Sequence, residues 1–139
     1  MISRVLVPMD DSEMAERALR YALDVHPNAE ITVVHVVGEP SSMMGSAAGI
    51  AVADDLEQAA QEIARELFDH AHRIAAEHDV KIETKVAVGH PARTVVNMSD
   101  AFDTVVIGSH SGGLADRLLV GNIAGKIVRG SAAPVTVVR

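Results

Sequence analysis

Strand-like and helix-like segments alternate along the chain, and this alternation constrains the fold more than any other feature. The strand-like runs are short and rich in Val and Ile, and they fall at 2–8, 30–37, 80–89, 103–108 and 133–139. Segments with helical spacing of apolar residues separate them, at 12–25, 55–79, 91–101 and 121–130. Strands joined by helical crossovers predict an α/β fold with an open, five-stranded parallel sheet and helices on both faces.

One connection is longer than the others. The stretch "GEPSSMMGSAAGIAVAD", residues 38–54, has small residues, glycines and one proline without a clear period. We expect a long loop here, and such loops in compact domains are usually functional.

Length and composition narrow the class of protein. The 139 residues suit a single domain spanning 1–139. The absence of cysteine excludes disulfides, thiolate metal sites and cysteine nucleophiles. The first apolar run is soon followed by charge, and no segment approaches the ~18 apolar residues of a membrane span. We therefore expect a cytoplasmic protein without a signal peptide.

The formal net charge of −7 argues against nucleic acid and anionic membranes as partners, since both require a basic surface. Residues 108–139 nevertheless carry a net charge of +3, which leaves −10 for the rest. This uneven distribution of charge either has a function or arises by chance, since few charged residues are counted. Arg117, Lys126 and Arg129 are candidates for screening phosphate charge, although helical spacing equally places them in solvent, and we favour solvent for the last two.

Unusual residues follow two of the strands, "PMDDS" after the first and "GSHSGG" after the fourth. In open parallel sheets the ligand crevice lies outside the carboxyl ends of the strands, where the winding reverses. Gly108 would let the backbone approach a ligand. Gly121 and Asn122 precede a helix whose first N–H groups favour an anion. The pattern indicates a phosphate site, or else two turn glycines and an asparagine N-cap.

The sequence resembles the universal stress protein family along essentially its whole length. The stretches that carry the resemblance are "VLVPMDDS", "VVHVV" and "VAVGHPA". ATP-binding members have a loop of Gly, two residues, Gly, nine residues, Gly, then Ser or Thr. Here Gly108 and Gly121 keep that spacing, Ser111 replaces the second glycine, and Asn122 replaces the hydroxyl residue.

These two departures have physical consequences for the loop. A left-handed conformation at Ser111 would cost roughly 1–2 kcal/mol. Gly112 and Gly113 can supply the bend instead. The side-chain amide of Asn122 can still donate a hydrogen bond to phosphate.

The resemblance implies a Rossmann-like sheet of the adenine nucleotide alpha hydrolase kind, with strand order 3-2-1-4-5. It also implies a stress-response or signalling function through bound ATP, AMP or another adenine nucleotide. The adenine pocket would comprise Pro8, Met9, Asp10 and Val36. Ribose and phosphate contacts would come from Gly108, Ser109, His110, Ser111, Gly121, Asn122 and Ile123. Asp10 could instead be the N-cap of the first helix, with Glu13 as its capping-box partner.

We predict no catalytic residues and no dedicated metal site. Ser109 and His110 have the types of a nucleophile and a base, but adjacent residues rarely orient correctly for that chemistry. Slow ATP hydrolysis is the most we expect, because no base or arginine clamp is evident. His70 and His72 are two apart on a helix and do not share a face. Mg²⁺ could accompany the phosphates of ATP.

Three alternatives compete with nucleotide binding. A receiver domain would need an aspartate after the third strand and a lysine after the fifth, and both are missing. A flavodoxin-like carrier usually stacks aromatic rings on flavin, and this chain has one tyrosine, two phenylalanines and no tryptophan. The third alternative is a family member that does not bind ATP and acts through protein contacts.

The last strand, 133–139, is apolar and would form an edge of the sheet, where unpaired backbone groups invite another chain. Members of the family commonly dimerise through this strand. We therefore expect a homodimer.

Overall fold

The computed structural model describes residues 1–38, 46–110 and 121–139, with side chains described for all of these except 46–57. Five parallel strands form one sheet in the order β3-β2-β1-β4-β5. The strands are β1 Arg4–Pro8, β2 Glu30–Val37, β3 Ile82–Val88, β4 Thr104–Gly108 and β5 Val135–Val138. The helices are α1 Glu13–Val25, α2 Ser46–Glu77, α3 Pro91–Met98 with a 3₁₀ turn at Ser99–Ala101, and α4 Asn122–Gly130.

The direction of winding reverses at the middle of the sheet. From β1 the chain proceeds outward through β2 to β3, then crosses back to β4 on the other side of β1. Val5 lies opposite Thr104 and Leu6 opposite Val105 in the pairing of β1 with β4. The predicted fold class and strand order are confirmed, and the reversal places a crevice at the carboxyl ends of β1 and β4.

The central strand β1 is buried on both faces. Because side chains alternate along a strand, Val5 and Val7 pack into the core beneath α1 and α2, while Leu6 packs into the core beneath α3 and α4. All three are completely buried. Burial contributes about 1.5–3 kcal/mol for each such side chain, and it holds the end of β1 firmly at the crevice.

Helix α1 begins directly after the β1 loop. Its N-cap is Ser12, whose Oγ accepts a hydrogen bond from the N–H of Ala15 at 3.1 Å. The interpretation of Asp10 as N-cap is therefore wrong. Asp10 Oδ1 instead accepts from the N–H of Ser12 at 2.9 Å, which fixes the turn one step before the cap.

The predicted loop at 38–54 is wrong in its second half. Helix α2 begins at Ser46, nine residues before the expected start at Asp55, and ends at Glu77. Its first turns contain Ala47, Ala48, Ala51 and Ala53, and alanine has the highest helix propensity of all residues. Glycine at 49 costs only about 1 kcal/mol within a helix. The high helix propensity of the alanines therefore suffices for a helix, although the apolar residues show no clear helical spacing. Residues 39–45 lie outside the described part.

The outer elements agree with the sequence patterns. Strand β3, in which polar and apolar residues alternate, forms one edge of the sheet, and β5 forms the other. Pro91 occupies the first turn of α3, where its missing N–H needs no partner.

The N-terminus is fastened to the sheet by one carboxylate. Asp103, just before β4, accepts hydrogen bonds from the backbone N–H groups of Ser3 and Arg4 at 2.8 and 2.9 Å. These bonds, the one from Ser3 foremost, hold the pKa of the Asp103 carboxyl below its ordinary value. The lowered pKa stabilises the folded state above about pH 4, and the contribution is lost as pH falls through the folded-state pKa.

We predict that Asp103→Asn lowers the midpoint of thermal unfolding at neutral pH, and that the difference from wild type shrinks as the pH approaches 3. The control is Asp100→Asn, since Asp100 makes no such contact among the described residues. Thermal unfolding followed by circular dichroism across this pH range measures the effect. A difference that does not change with pH would contradict the role assigned to the carboxylate.

Candidate functional site

A cavity of about 540 Å³ opens at the carboxyl ends of β1 and β4. Its walls come from the ends of these two strands, from β2, from the start of α1, and from the first two turns of α3 and α4. Most of the residues singled out in the sequence line it, namely Pro8, Met9, Asp10, Val36, Gly108, His110, Gly121, Asn122 and Ile123. The fold thus brings together residues from four separate parts of the chain.

Two of the predicted residues are not part of this lining. Ser109 is buried behind it, with 4% of its surface exposed. Ser111, where the sequence departs from the glycine pattern, lies outside the described residues, as does Arg117.

The wall formed by the end of β1 is held by β2. Met9 is buried, and its N–H donates to the carbonyl of Val34 at 2.8 Å. The carbonyl of Met9 lies 2.9 Å from Nδ1 of His35. Because a carbonyl can only accept, Nδ1–H of His35 is the donor. Both polar groups of the Met9 backbone are therefore engaged, and the loop that carries Asp10 has a fixed position.

The opposite wall is held by hydrogen bonds of the Ser109 backbone. Its N–H donates to the carbonyl of Val138 in β5 at 2.8 Å, and its carbonyl accepts from the N–H of Gly121 at 2.6 Å. Ser109 thus ties the start of α4 to the end of β4.

Gly108 satisfies a packing constraint as well as lining the cavity. A Cβ at this position would lie 2.9 Å from the carbonyl oxygen of Met14 and 3.0 Å from its carbonyl carbon. Only glycine lets the first turn of α1 pass this closely over the end of β4. The sequence interpretation, that the backbone here approaches a ligand, did not include this contact between two elements of the chain.

Helix α4 directs its amino end at the cavity. Gly121 is its N-cap and contributes no side chain, and Asn122 is the first helical residue rather than the N-cap. Asn122, Ile123 and Ala124 form the first turn and all line the cavity. The first N–H groups of a helix have no acceptor within the helix and carry the positive end of its dipole, so this wall suits an anion.

Ser109 and His110 contact each other, but not in the way that a nucleophile and its base would need at the cavity. Oγ of Ser109 lies 2.9 Å from Nδ1 of His110. His110 lines the cavity and Ser109 does not. Since the Ser109 hydroxyl is buried, the arrangement orients an imidazole at the cavity wall and does not expose a nucleophile.

Several lining residues were not found by sequence reasoning. His35 and Ser12 add polar groups, and Pro91, Val95 and Ile127 add an apolar floor between α3 and α4. A signal for His35 was present, because it is a titratable residue within an apolar run near the end of its strand. The floor residues follow ordinary helical periodicity and gave no signal of their own.

The cavity wall carries few charges in the described part of the chain. Asp10 is its one carboxylate there, and His35 and His110 are its other titratable groups. Lys126 and Arg129 are exposed on α4 and absent from the lining, as the solvent-facing interpretation expected.

A second cavity of about 390 Å³ lies against the same Met9–Ser12 loop, next to α2. Its wall is acidic, with Asp10, Asp11, Glu16 and Glu66 beside two histidines. One of them, His70, holds the pKa of Glu16 below its ordinary value through a hydrogen bond of 3.0 Å, and Arg20 adds to this effect. Within the described ranges no three His, Asp or Glu side chains are placed to bind a metal ion.

Within the same ranges no helix is both long and apolar enough to cross a lipid bilayer.

The fold and the cavity define an open α/β domain with a ligand crevice at its topological switch point. A family model described as the universal stress protein family matches residues 1–139. The chain therefore belongs to the universal stress protein family. The universal stress protein YxiE of Bacillus subtilis is 28% identical to it over the whole of both chains.

Solved structures share the fold. Universal stress protein UspA from Lactobacillus plantarum is similar with a TM-score of 0.83 and 23% identity, over 99% of this chain and 98% of that one. The universal stress protein from Archaeoglobus fulgidus in complex with dAMP has a TM-score of 0.66 and 20% identity, over 100% of this chain and 98% of that one.

The close approach at Gly108 leads to a stability prediction. We expect Gly108→Ala to lower the free energy of unfolding by about 1–3 kcal/mol, because the new methyl group meets the Met14 backbone, which cannot move without shifting α1. Urea denaturation measures the effect. The matched control is Gly38→Ala, where a Cβ would meet no atom within 4 Å. Equal stability of the two variants would contradict the packing argument.

Proposed function

We propose that the protein binds an adenine nucleotide in the cavity at the carboxyl ends of β1 and β4, as one domain spanning 1–139, and acts in stress response or signalling. The observation that carries the proposal is the meeting of an apolar wall and a helix N-terminus in one cavity of about 540 Å³. The dAMP complex of the Archaeoglobus fulgidus relative supports an adenine nucleotide as the ligand.

The base would lie against the wall formed by β1 and β2. Pro8, Met9 and Val36 give this wall its apolar surface. Asp10 is half-buried, and one of its oxygens already accepts from Ser12. A carboxylate has acceptor capacity beyond one bond, so Asp10 can also accept from the exocyclic amine of adenine or from a ribose hydroxyl.

The phosphate would lie at the start of α4. The N–H groups of its first turn, the side-chain amide of Asn122 and the imidazole of His110 are all donors that suit phosphate oxygens. Gly121 leaves this approach free of a side chain. Ser111 and the rest of 111–120 lie outside the described residues, and their contacts to phosphate stay a prediction.

ATP is the nucleotide that we propose first, with AMP and cyclic nucleotides as related ligands of the same site. Mg²⁺ bound with ATP would rely mainly on phosphate oxygens. Asp10 is the carboxylate of the described wall that could add a protein ligand. The ion would screen phosphate charge, and we expect at most slow hydrolysis. We expect the protein to act in the cytoplasm.

The test is titration calorimetry with ATP·Mg and with AMP against wild type and Gly121→Asp. Aspartate is a favourable N-cap residue for α4. Its Cβ would lie 3.3 Å from the Cα of His110 and from the carbonyl oxygen of Ser109, so these neighbours must shift by a few tenths of an ångström. Its carboxylate would occupy the amides that a phosphate needs and would repel the phosphate. We predict that Gly121→Asp weakens the binding of both nucleotides more than about ten-fold.

The matched control is Gly125→Asp, which adds the same charge to the same helix at a residue that does not line the cavity and lies beside Arg129. It should bind like wild type. If wild type binds neither nucleotide, the proposal fails, and the alternative of a family member acting through protein contacts replaces it.

We also propose a homodimer formed through β5. In the pairing of β4 with β5, Val105 and Ser109 donate to the carbonyls of Pro134 and Val138, so the backbone of the even-numbered residues faces β4. In a parallel ladder the odd-numbered residues Val135 and Val137 then direct their N–H and C=O groups outward. No described residue bonds to these groups, and they can pair with a second copy.

Light scattering coupled to size exclusion should give twice the chain mass of 14.7 kDa. We predict that Thr136→Lys shifts the protein towards the monomer, because it adds one positive charge to this edge in each copy. A wild-type protein of monomer mass would contradict the dimer.

A further inference from the structure

The hydroxyl group of Ser109 is buried and has one neighbour. Oγ lies 2.9 Å from Nδ1 of His110, which is its only hydrogen-bond partner among the described residues. The backbone of Ser109 is fixed by its bonds to Val138 and Gly121. With 4% of its surface exposed, the residue has little access to water.

The direction of this hydrogen bond follows from the burial. If Nδ1–H donated to Oγ, the proton of the serine hydroxyl would be left in the interior without an acceptor among the described groups. Buried polar groups are paired in folded proteins, and leaving one unpaired is costly. When the hydroxyl donates to the lone pair of Nδ1, both groups are satisfied.

A neutral imidazole carries one proton, and the other nitrogen then holds it. We infer that the buried hydroxyl of Ser109 holds neutral His110 in the tautomer with the proton on Nε2, so that His110 donates a hydrogen bond to an anionic ligand group without being charged. The tautomer stands on the geometry alone. The identity of the anionic group, a nucleotide phosphate, rests on the proposed function. Ser109 is then a positioning residue that acts through His110.

The titratable groups near His110 are few. Asp10 from the β1 loop and His35 from β2 share the cavity wall with it, while the described parts of α3, α4 and β4 add no other titratable side chain to that wall. Arg139 directly follows Val138, whose carbonyl accepts from Ser109. Asp116 and Arg117 lie outside the described residues.

The first test observes the tautomer in the protein without ligand. Long-range ¹H–¹⁵N spectra of histidine-labelled protein at about pH 8 report which ring nitrogen carries the proton, and the His110 signals are assigned by their loss in His110→Gln. We expect the proton on Nε2 in wild type and a mixture of tautomers in Ser109→Ala. A proton on Nδ1 in wild type would overturn the inference.

The second test is the pH profile of AMP affinity in wild type and Ser109→Ala. Above the range in which imidazoles protonate, the variant should bind AMP about two-fold more weakly, because only the fraction of His110 with the proton on Nε2 can donate to the phosphate. Once an imidazole is protonated, both of its nitrogens donate in either protein, so the ratio of dissociation constants should fall towards one as the pH is lowered. Both proteins are measured with AMP at the same pH, so protonation of the AMP phosphate does not change this ratio. A ratio that stays constant with pH would indicate a merely structural role and would overturn the inference.

Two controls separate the inference from the proposed function. Ser109→Thr keeps the hydroxyl and should restore the wild-type profile. Adenosine has no phosphate, so wild type and Ser109→Ala should bind it equally. Wild-type protein that binds AMP no more tightly than adenosine would overturn the contact to phosphate. Failure to bind either compound would remove the nucleotide proposal, while the tautomer would still be decided by the spectra.

Discussion

The pairing of β1 with β4 is the constraint on which the rest of the structure depends. The three central residues of β1 are completely buried, with Val5 and Val7 in one core and Leu6 in the other. This strand also pairs with β2 on one side and β4 on the other. Because the chain reaches β4 only after it has built β2 and β3, the carboxyl ends of β1 and β4 lie side by side at one crevice.

Backbone hydrogen bonds and close packing fix the walls of the crevice. Met9 is fixed through its N–H and its carbonyl by two residues of β2. Gly108 lets α1 pass directly over the end of β4. Ser109 fastens the start of α4 to both β4 and β5. A site built from such fixed backbone groups presents its donors to a ligand without reorganising, which reduces the entropic cost of binding.

The fold could be predicted from the sequence because periodicity reports which side chains are buried. The alternation of apolar strands with amphipathic helices indicated a parallel sheet, and the family resemblance supplied the strand order. The start of α2 was missed because its first turns have high helix propensity without an apolar stripe. The N-cap of α1 was misassigned because Asp10 and Ser12 both suit that position, and only the backbone geometry distinguishes them.

The residues at the strand ends of the site could be predicted from the sequence, but those that reach the cavity from other elements could not. Glycines and acidic residues at strand ends stand out in a sequence, so Asp10, Gly108 and Gly121 were singled out, and all three line the cavity. His35, Pro91 and Val95 reach the cavity through tertiary packing that spacing along the chain does not encode. The hydrogen bond between Ser109 and His110 depends on how their side chains rotate, which the sequence does not encode.

The central claim is that the cavity between β1 and β4 binds an adenine nucleotide. Its most direct test is a titration of ¹⁵N-labelled protein with AMP, followed by ¹H–¹⁵N correlation spectra. The account predicts shifts at amides around the cavity, such as Asp10, Gly108 and Asn122, and none at the opposite ends of the strands, such as Arg4 and Thr104. Spectra that do not change with AMP or ATP in large excess, or shifts centred away from the cavity, would contradict it.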